Sequence, residues 1–340
     1  MLSRTLDIST SPHIRQGTST DSIMQNVVWA LIPVAIFAVF SFGLSAFFVI
    51  VATTISCVFT EHVLCRMANK ESTISDWSAV IKGLLLGLTL PPNFPIWMAF
   101  CGGIIAIGLG KYTFGGLGYN VFNPALVGRA VLQAAFPVAI TTWHPAFLAD
   151  RFATVAASTF TLPFMEPPAV DAMAGATPLA AFKFDQITTD TSDLALGIIS
   201  GSTGETCAAL IILGGIYLIA RKMMNWRIPV SILATVFAFS GILYLIDNQA
   251  YPSPVFMLFS GGLMLGAVFM ATDMVASPIT PVGVFVYGAI IGLLVVIIRI
   301  WGGLPEGVMY AILLANAISP HIDNMIRPRV YGTSKTIKES

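Results

Sequence analysis

Apolar residues in this chain come in long runs, punctuated by glycine, proline and clustered charge. Runs bounded by such breakers predict membrane spans at 23–42, 45–65, 78–91, 96–111, 122–137, 196–220, 228–246, 255–271, 282–300 and 303–320. A helix needs about 20 apolar residues to cross a bilayer, so the pattern predicts an all-α integral membrane protein of about ten transmembrane helices. Several runs are short or interrupted by Gly and Pro, which marks broken half-helices. The first 22 residues are polar and the first apolar run continues for a full span, so no cleavable leader is expected. The pattern divides the chain into an N-terminal segment 1–22, a first membrane repeat 23–137, a long loop 138–194, a second membrane repeat 195–320 and a tail 321–340.

Lys and Arg collect in cytoplasmic loops and so set the direction of the spans. Arg4 and Arg15 precede the first span, Arg66 and Lys70 follow the second, and Lys111 follows the fourth. Arg221, Lys222 and Arg227 follow the sixth, and Arg327, Arg329, Lys335 and Lys338 follow the last. All fall on one side if both termini are cytoplasmic. The loop 138–194 carries Asp150, Glu166, Asp171, Asp185, Asp190 and Asp193 against Arg151 and Lys183, which suits the extracytoplasmic face.

The chain also repeats itself. Gly83-Leu84-Leu85-Leu86-Gly87 returns as Gly262-Leu263-Met264-Leu265-Gly266, and Phe114-Gly115-Gly116-Leu117 as Trp301-Gly302-Gly303-Leu304. Val121, Leu126 and Ala130 then meet Val308, Leu313 and Ala317, with a register slip of about the length of 274–281. Glycine- and leucine-rich helices resemble one another by chance, but the ordered landmarks favour duplication. Span three runs outward and span eight inward, so the two five-helix repeats are inverted, an arrangement that places a working site between half-helices. The breaks to inspect are Leu90-Pro91-Pro92-Asn93-Phe94-Pro95 and Ala271-Thr272-Asp273.

Composition agrees: 56% of the 340 residues are hydrophobic and 10% charged, whereas soluble domains carry about 25% charge. A formal net charge of zero argues against a nucleic-acid partner. The four cysteines are scattered, with no Cys-x-x-Cys and no Cys/His cluster. Neither a zinc site nor a complete iron–sulfur site can be built from this chain alone.

Candidate chemistry is sparse. Asn123-Pro124-Ala125 opens a short helix with Asn as N-cap and Pro in the first turn. A water channel would want a second such triplet where the repeat has Tyr310-Ala311-Ile312, so the triplet reads as a capped half-helix. Arg129 inside that helix is costly in a membrane and should face a partner acid, a cavity or a ligand phosphate. Glu61, His62, Asp76, Lys82, Glu205 and Glu306 sit where they can reach the membrane interface as anchors. Asp273 is the preferred intramembrane ionisable group. Read alone, Asp171-Ala172-Met173-Ala174-Gly175-Ala176-Thr177-Pro178-Leu179-Ala180 is a small-residue turn with an accessible hydroxyl and no activating neighbour in sequence.

Gly175-Ala176-Thr177-Pro178-Leu179-Ala180, in an outer loop after five spans, resembles the flavinylation motif of a bacterial family. That family comprises the RnfD component of the Rnf ion-translocating oxidoreductase and the NqrB component of the sodium-translocating NADH:quinone reductase. Ser11-Pro12-His13-Ile14-Arg15 and Phe122-Asn123-Pro124-Ala125-Leu126-Val127-Gly128-Arg129-Ala130 are similar to that family too, and Ala174 stands where a hydroxyl residue is usual. The chain lacks the longer N-terminal extension of the quinone-reductase component and is more similar to the Rnf type.

The resemblance implies FMN joined to Thr177 through a phosphoester, with Gly175 and Ala176 giving the phosphate access to the backbone and Arg129 nearby; a noncovalent riboflavin is a further expectation of the family. It implies a urea-transporter-like fold in a bacterial inner membrane. It also implies a complex with iron–sulfur subunits, a second covalent-FMN subunit and two further integral subunits. Such a complex moves electrons between ferredoxin and NAD⁺ while Na⁺ or H⁺ crosses the membrane. The rival reading is a urea-transporter-like channel or solute transporter without a redox centre, and a third is a structural anchor for redox partners; flavin absorbance separates all three.

Overall fold

The computed structural model describes residues 19–70, 73–163, 165, 175–205, 207–303 and 305–327. The motif at 11–15, Arg4, Glu166, residues 171–174, Leu304 and the tail residues Arg329, Lys335 and Lys338 lie outside the described residues. Among the described residues the chain is helical, with no β-strand.

Helix α1 (Thr20–Phe42) is capped by Ser19, whose hydroxyl accepts from Ser22 N at 3.1 Å. It ends at Gly43, where a φ of +78° lets α2 (Leu44–Met67) begin at once. A Cβ at Gly43 would overlap the Arg151 carbonyl, which accepts from Leu44 N at 3.1 Å. Arg151 also donates from Nε to Phe40 O at 2.8 Å, so a residue of the 138–194 loop clamps the turn between the first two helices.

Between helices in lipid there is little hydrophobic drive, and close packing of small residues takes over. Helix α3 (Ser78–Thr89) lies so near α2 that a Cβ on Gly83 would come within 2.5 Å of Thr54 Cα, and one on Gly87 within 2.9 Å of Ile50 Cα. Helix α4 (Ile96–Gly108) approaches α2 at Gly103 and Ser56, whose hydroxyl donates to Phe100 O at 2.5 Å. After them come α5 (Pro124–Ala135), α6 (Pro137–Thr141), α7 (Pro178–Asp185), α8 (Thr191–Leu196), α9 (Ala208–Ala220) and α10 (Arg227–Ile246). The chain closes with α11 (Pro254–Phe259), α12 (Leu263–Leu265) and its π-helical continuation Gly266–Met270, α13 (Pro281–Trp301) and α14 (Val308–Met325). Helices α10 and α13 pair as α2 does with α3: a Cβ on Gly292 would meet Ile232 O at 2.8 Å.

Five helical stretches are long and apolar enough to cross a membrane: α1, α2, Ile96–Phe114, α10 and α13. The chain is therefore built as a multi-pass membrane protein. Of the other expected spans, 78–91 and 122–137 are short helices, α3 and α5, of 12 residues each. At 1.5 Å per residue each covers about 18 Å, roughly half of a bilayer core.

Two expected spans differ more. In 196–220 the helix starts only at Ala208, because the glycine-rich stretch before it runs as irregular backbone that serves α3. Gly204 N donates to Leu88 O at 2.7 Å and Thr203 N to Leu90 O at 3.0 Å, satisfying carbonyls that the end of α3 leaves open. In 255–271 the helix breaks at Ser260–Gly262, where Gly261 takes φ +62°. Arg299 of α13 fills that gap, donating to Met257 O at 2.5 Å and Ser260 O at 2.7 Å. Irregular backbone survives at membrane depth here because protein groups replace the missing helical bonds.

The glycine contacts set a testable constraint. Gly83 faces backbone, which cannot swing aside, so Gly83→Ala is expected to cost about 1–3 kcal/mol through overpacking. Thermal unfolding in detergent checks it; an unchanged midpoint means α2 and α3 do not approach this closely.

Candidate functional site

The short helix α5 is fixed at its start. Asn123 accepts from Ala125 N through Oδ1 at 3.1 Å, which makes it the N-cap expected from its sequence, and Pro124 follows in the first turn. The same side chain donates from Nδ2 to Met270 O at 3.0 Å, tying α5 to the end of the π-helical segment. Arg129 lies further along α5 and is only 6% exposed. Its Nη1 donates to Glu205 Oε1 at 2.9 Å and its Nη2 to Glu306 Oε2 at 3.3 Å. Its Nε is buried and has no partner. One guanidinium thus joins α5, the irregular stretch before α9 and the α13–α14 connection. Gly262 makes room for the arrangement, since a Cβ there would overlap the Glu205 carboxylate.

Thr177 stands on the other side of this cluster. It is the N-cap of α7, its hydroxyl accepting from Ala180 N at 3.3 Å, and it is 2% exposed. Gly175 precedes it in close contact with Ser200, whose Oγ would lie 2.6 Å from a Cβ, and Gly175 N donates to Trp143 O at 3.0 Å. The glycine is required by packing as well as by approach. At its far end α7 is anchored by Lys183, which donates to Arg299 O at 3.0 Å and to Gly302 O. Burial pushes the Lys183 ammonium below its usual value and lowers His144 in the same way.

Gly175, Ala176 and Thr177 line a cavity of about 420 Å³ together with Arg129, Gln133, Trp143, Phe184 and Glu306. The structure therefore brings together the four residues picked from sequence, Thr177, Gly175, Ala176 and Arg129. Of the three roles open to Arg129, it shows two at once, partner acids and a cavity. The expected interfacial anchors take another arrangement. Glu61 pairs with Lys111 at 2.6 Å and accepts from Thr73, Asp76 accepts from Ser78 at 2.6 Å, and Lys82 meets Asp273 at 2.8 Å. Charges withdrawn from water need partners, and these side chains found them within the bundle. Sequence reasoning noted Glu205 and Glu306 singly and missed them as the partners of Arg129. It also missed Trp143, Arg299 and Lys183. The one available signal was the intraspan arginine itself, which requires acids at its own depth.

Removing the arginine leaves two carboxylates buried without their shared counterion. Arg129→Gln is expected to destabilise the chain by about 3–5 kcal/mol, the cost of breaking a buried pair from one side. Thermal unfolding of the purified variant measures it, and a loss below about 1 kcal/mol would mean the cluster is open to water.

Comparison with known proteins places this geometry in a lineage. Residues 7–332 match the model of the NQR2, RnfD, RnfE family. The chain is 41% identical to the D component of a proton-translocating ferredoxin:NAD(+) oxidoreductase complex from Clostridium ljungdahlii, with 96% of each chain covered. It is 40% identical to the D component of the Na(+)-translocating complex of Acetobacterium woodii, covering 98% of both chains. It is 39% identical to the D component of an ion-translocating oxidoreductase complex from Stutzerimonas stutzeri, covering 93% of both. With nearly the whole chain matched by the model and by each relative, this protein belongs to the NQR2/RnfD/RnfE family.

Proposed function

We propose that the chain is the RnfD-type membrane component of an ion-translocating ferredoxin:NAD⁺ oxidoreductase, with FMN esterified through its phosphate to Thr177. The carrying observation is that Thr177, the N-cap of α7, lines a cavity of about 420 Å³ together with Arg129. The residues fit the group. A phosphodiester at Thr177 meets the positive end of the α7 dipole and shares its cavity with the Arg129 guanidinium, both of which stabilise an anion. Trp143, Ile140 and Phe184 supply an apolar wall suited to a planar ring. Bound there, the flavin supplies one- and two-electron chemistry that no side chain of this protein provides. The chain holds the group in place through Gly175 against Ser200 and Lys183 against the end of α13.

The same reading orients the chain with both termini cytoplasmic and 138–194 outside. It takes the two membrane halves as inverted repeats and puts the flavin at the outer face of a bacterial inner membrane. The coupled ion is Na⁺ or H⁺, the two ions that relatives at 40 and 41% identity are named for. Partner subunits carry the iron–sulfur centres that this chain's scattered cysteines cannot ligate on their own.

Tryptic mass spectrometry of protein made with its own maturation system is the direct test. The Thr177 peptide is expected to carry the mass of FMN less water, and Thr177→Val to abolish in-gel flavin fluorescence while the folded yield is kept. An unmodified Thr177 peptide sinks the assignment, and a colourless protein that passes solute in liposomes supports the channel instead.

A further inference from the structure

The cluster beneath Thr177 has a charge balance that the attachment of an anion upsets. Its members come from four elements: Arg129 on α5, Glu205 in the irregular stretch before α9, Arg299 on α13, and Glu306 in the α13–α14 connection. Arg299 is engaged by the Met257 and Ser260 carbonyls, with its guanidinium beside Gly261, next to the Gly262 that faces the Glu205 carboxylate. Two cations and two anions sum to zero. No other charged side chain among the described residues lines the cavities that contain Glu306.

The two acids are held unequally. Glu205 bonds Arg129 at 2.9 Å with its side chain 8% exposed, whereas Glu306 bonds it at 3.3 Å and is 14% exposed. Glu306 also shares the large cavity with Thr177, which Glu205 does not. A second small cavity is lined by Thr177, Glu205 and Glu306 together. A monoanion at Thr177 Oγ1 would therefore compete with Glu306 for Arg129, the cation that lines the same cavity. The weaker, more exposed acid is the one to yield. An unpaired buried carboxylate is costly, and in a water-poor site the group neutralises by binding a proton.

We propose that Glu306 is a proton-accepting site built into the Thr177 cavity: negative charge added at Thr177 displaces its carboxylate from Arg129, and the carboxylate binds one proton from the outer aqueous phase to become the neutral acid. This rests on the reading of Thr177 as the point of flavin attachment. It goes further in giving the protein its own group for the uptake of one proton when the cavity gains the negative charge of the phosphodiester. Glu205, on the shorter bond, keeps Arg129 in place.

Infrared spectroscopy of protein labelled with ¹³C-glutamate tests the proposal in two arms. In the flavin-free chain, Thr177→Asp places a carboxylate at the N-cap, where Asp is well tolerated. Near neutral pH this variant is expected to show a protonated-carboxyl band that shifts with the glutamate label, absent from the parent chain and lost again in Thr177→Asp with Glu306→Gln. Glu306→Asp gives a second decision, since it retains an acid but removes the label, so the labelled band must vanish there too. In the flavin-carrying complex, the oxidised protein should already show the same labelled band, which the flavin-free parent chain lacks. No labelled band in Thr177→Asp, or one that survives both Glu306 variants, overturns the proposal. A Thr177 without flavin defeats the attachment reading alone, because the first arm needs no flavin.

Discussion

A guanidinium withdrawn from water sets the terms for this end of the bundle. Arg129 is nearly fully buried and bonded to Glu205 and Glu306, which belong to segments distant from α5 in sequence. An arginine in that position cannot simply be accommodated. It demands acids at its depth, and supplying them draws the irregular stretch before α9 and the α13–α14 connection against α5. Those two segments in turn form the floor under Thr177. The ion pairs need contribute little net stability for this to hold. Their consequence is arrangement, because any packing that separates the partners strands a buried charge.

Backbone satisfaction is the second constraint, and it explains why the breaks fall where they do. The end of α3 would leave open carbonyls in a medium without water, and the amides of Thr203 and Gly204 answer them. The gap after α11 is answered by Arg299. Glycine serves close approaches and turns at these places: Gly262 beside Glu205, Gly175 beside Ser200, Gly43 beneath Arg151. The two breaks are repaired by different means, amides in one and a side chain in the other. This gives the second break a charge that the first lacks, and that charge lies beside Glu205 and Glu306.

How much of this was legible follows from the range of the forces involved. Long apolar runs report the bilayer directly, so α1, α2, α10 and α13 stand within a few residues of where hydropathy puts them. Asn123 as a cap was legible because capping is local, spanning two residues. The first dozen residues of 196–220 read as helix because Gly197, Gly201 and Gly204 sit in sequence apolar enough to pass as a span. That stretch instead bonds, through Thr203 and Gly204, to Leu90 and Leu88, more than a hundred positions away. Glu205 and Glu306 were visible as acids near span ends and invisible as partners of Arg129 for the same reason. Thr177 is the instructive case. Its local sequence offers no activating group, and its prominence came wholly from resemblance. The structure adds what the sequence could not, a cavity shared with an arginine.

Ion pairs stand at both ends of α3, by different designs. Where α3 begins, Lys82 meets Asp273 and Lys111 meets Glu61, one cation to one anion in each pair. Beyond its end, Arg129 divides itself between two acids, with Arg299 close by. A one-to-one pair offers an incoming charge no slack, since displacing either member leaves the other bare. A shared arginine does offer slack, because one acid can leave while the other keeps the guanidinium fixed. Of the two ends, the one with the shared arginine has that slack. It is also the end at which Thr177 lines the wall.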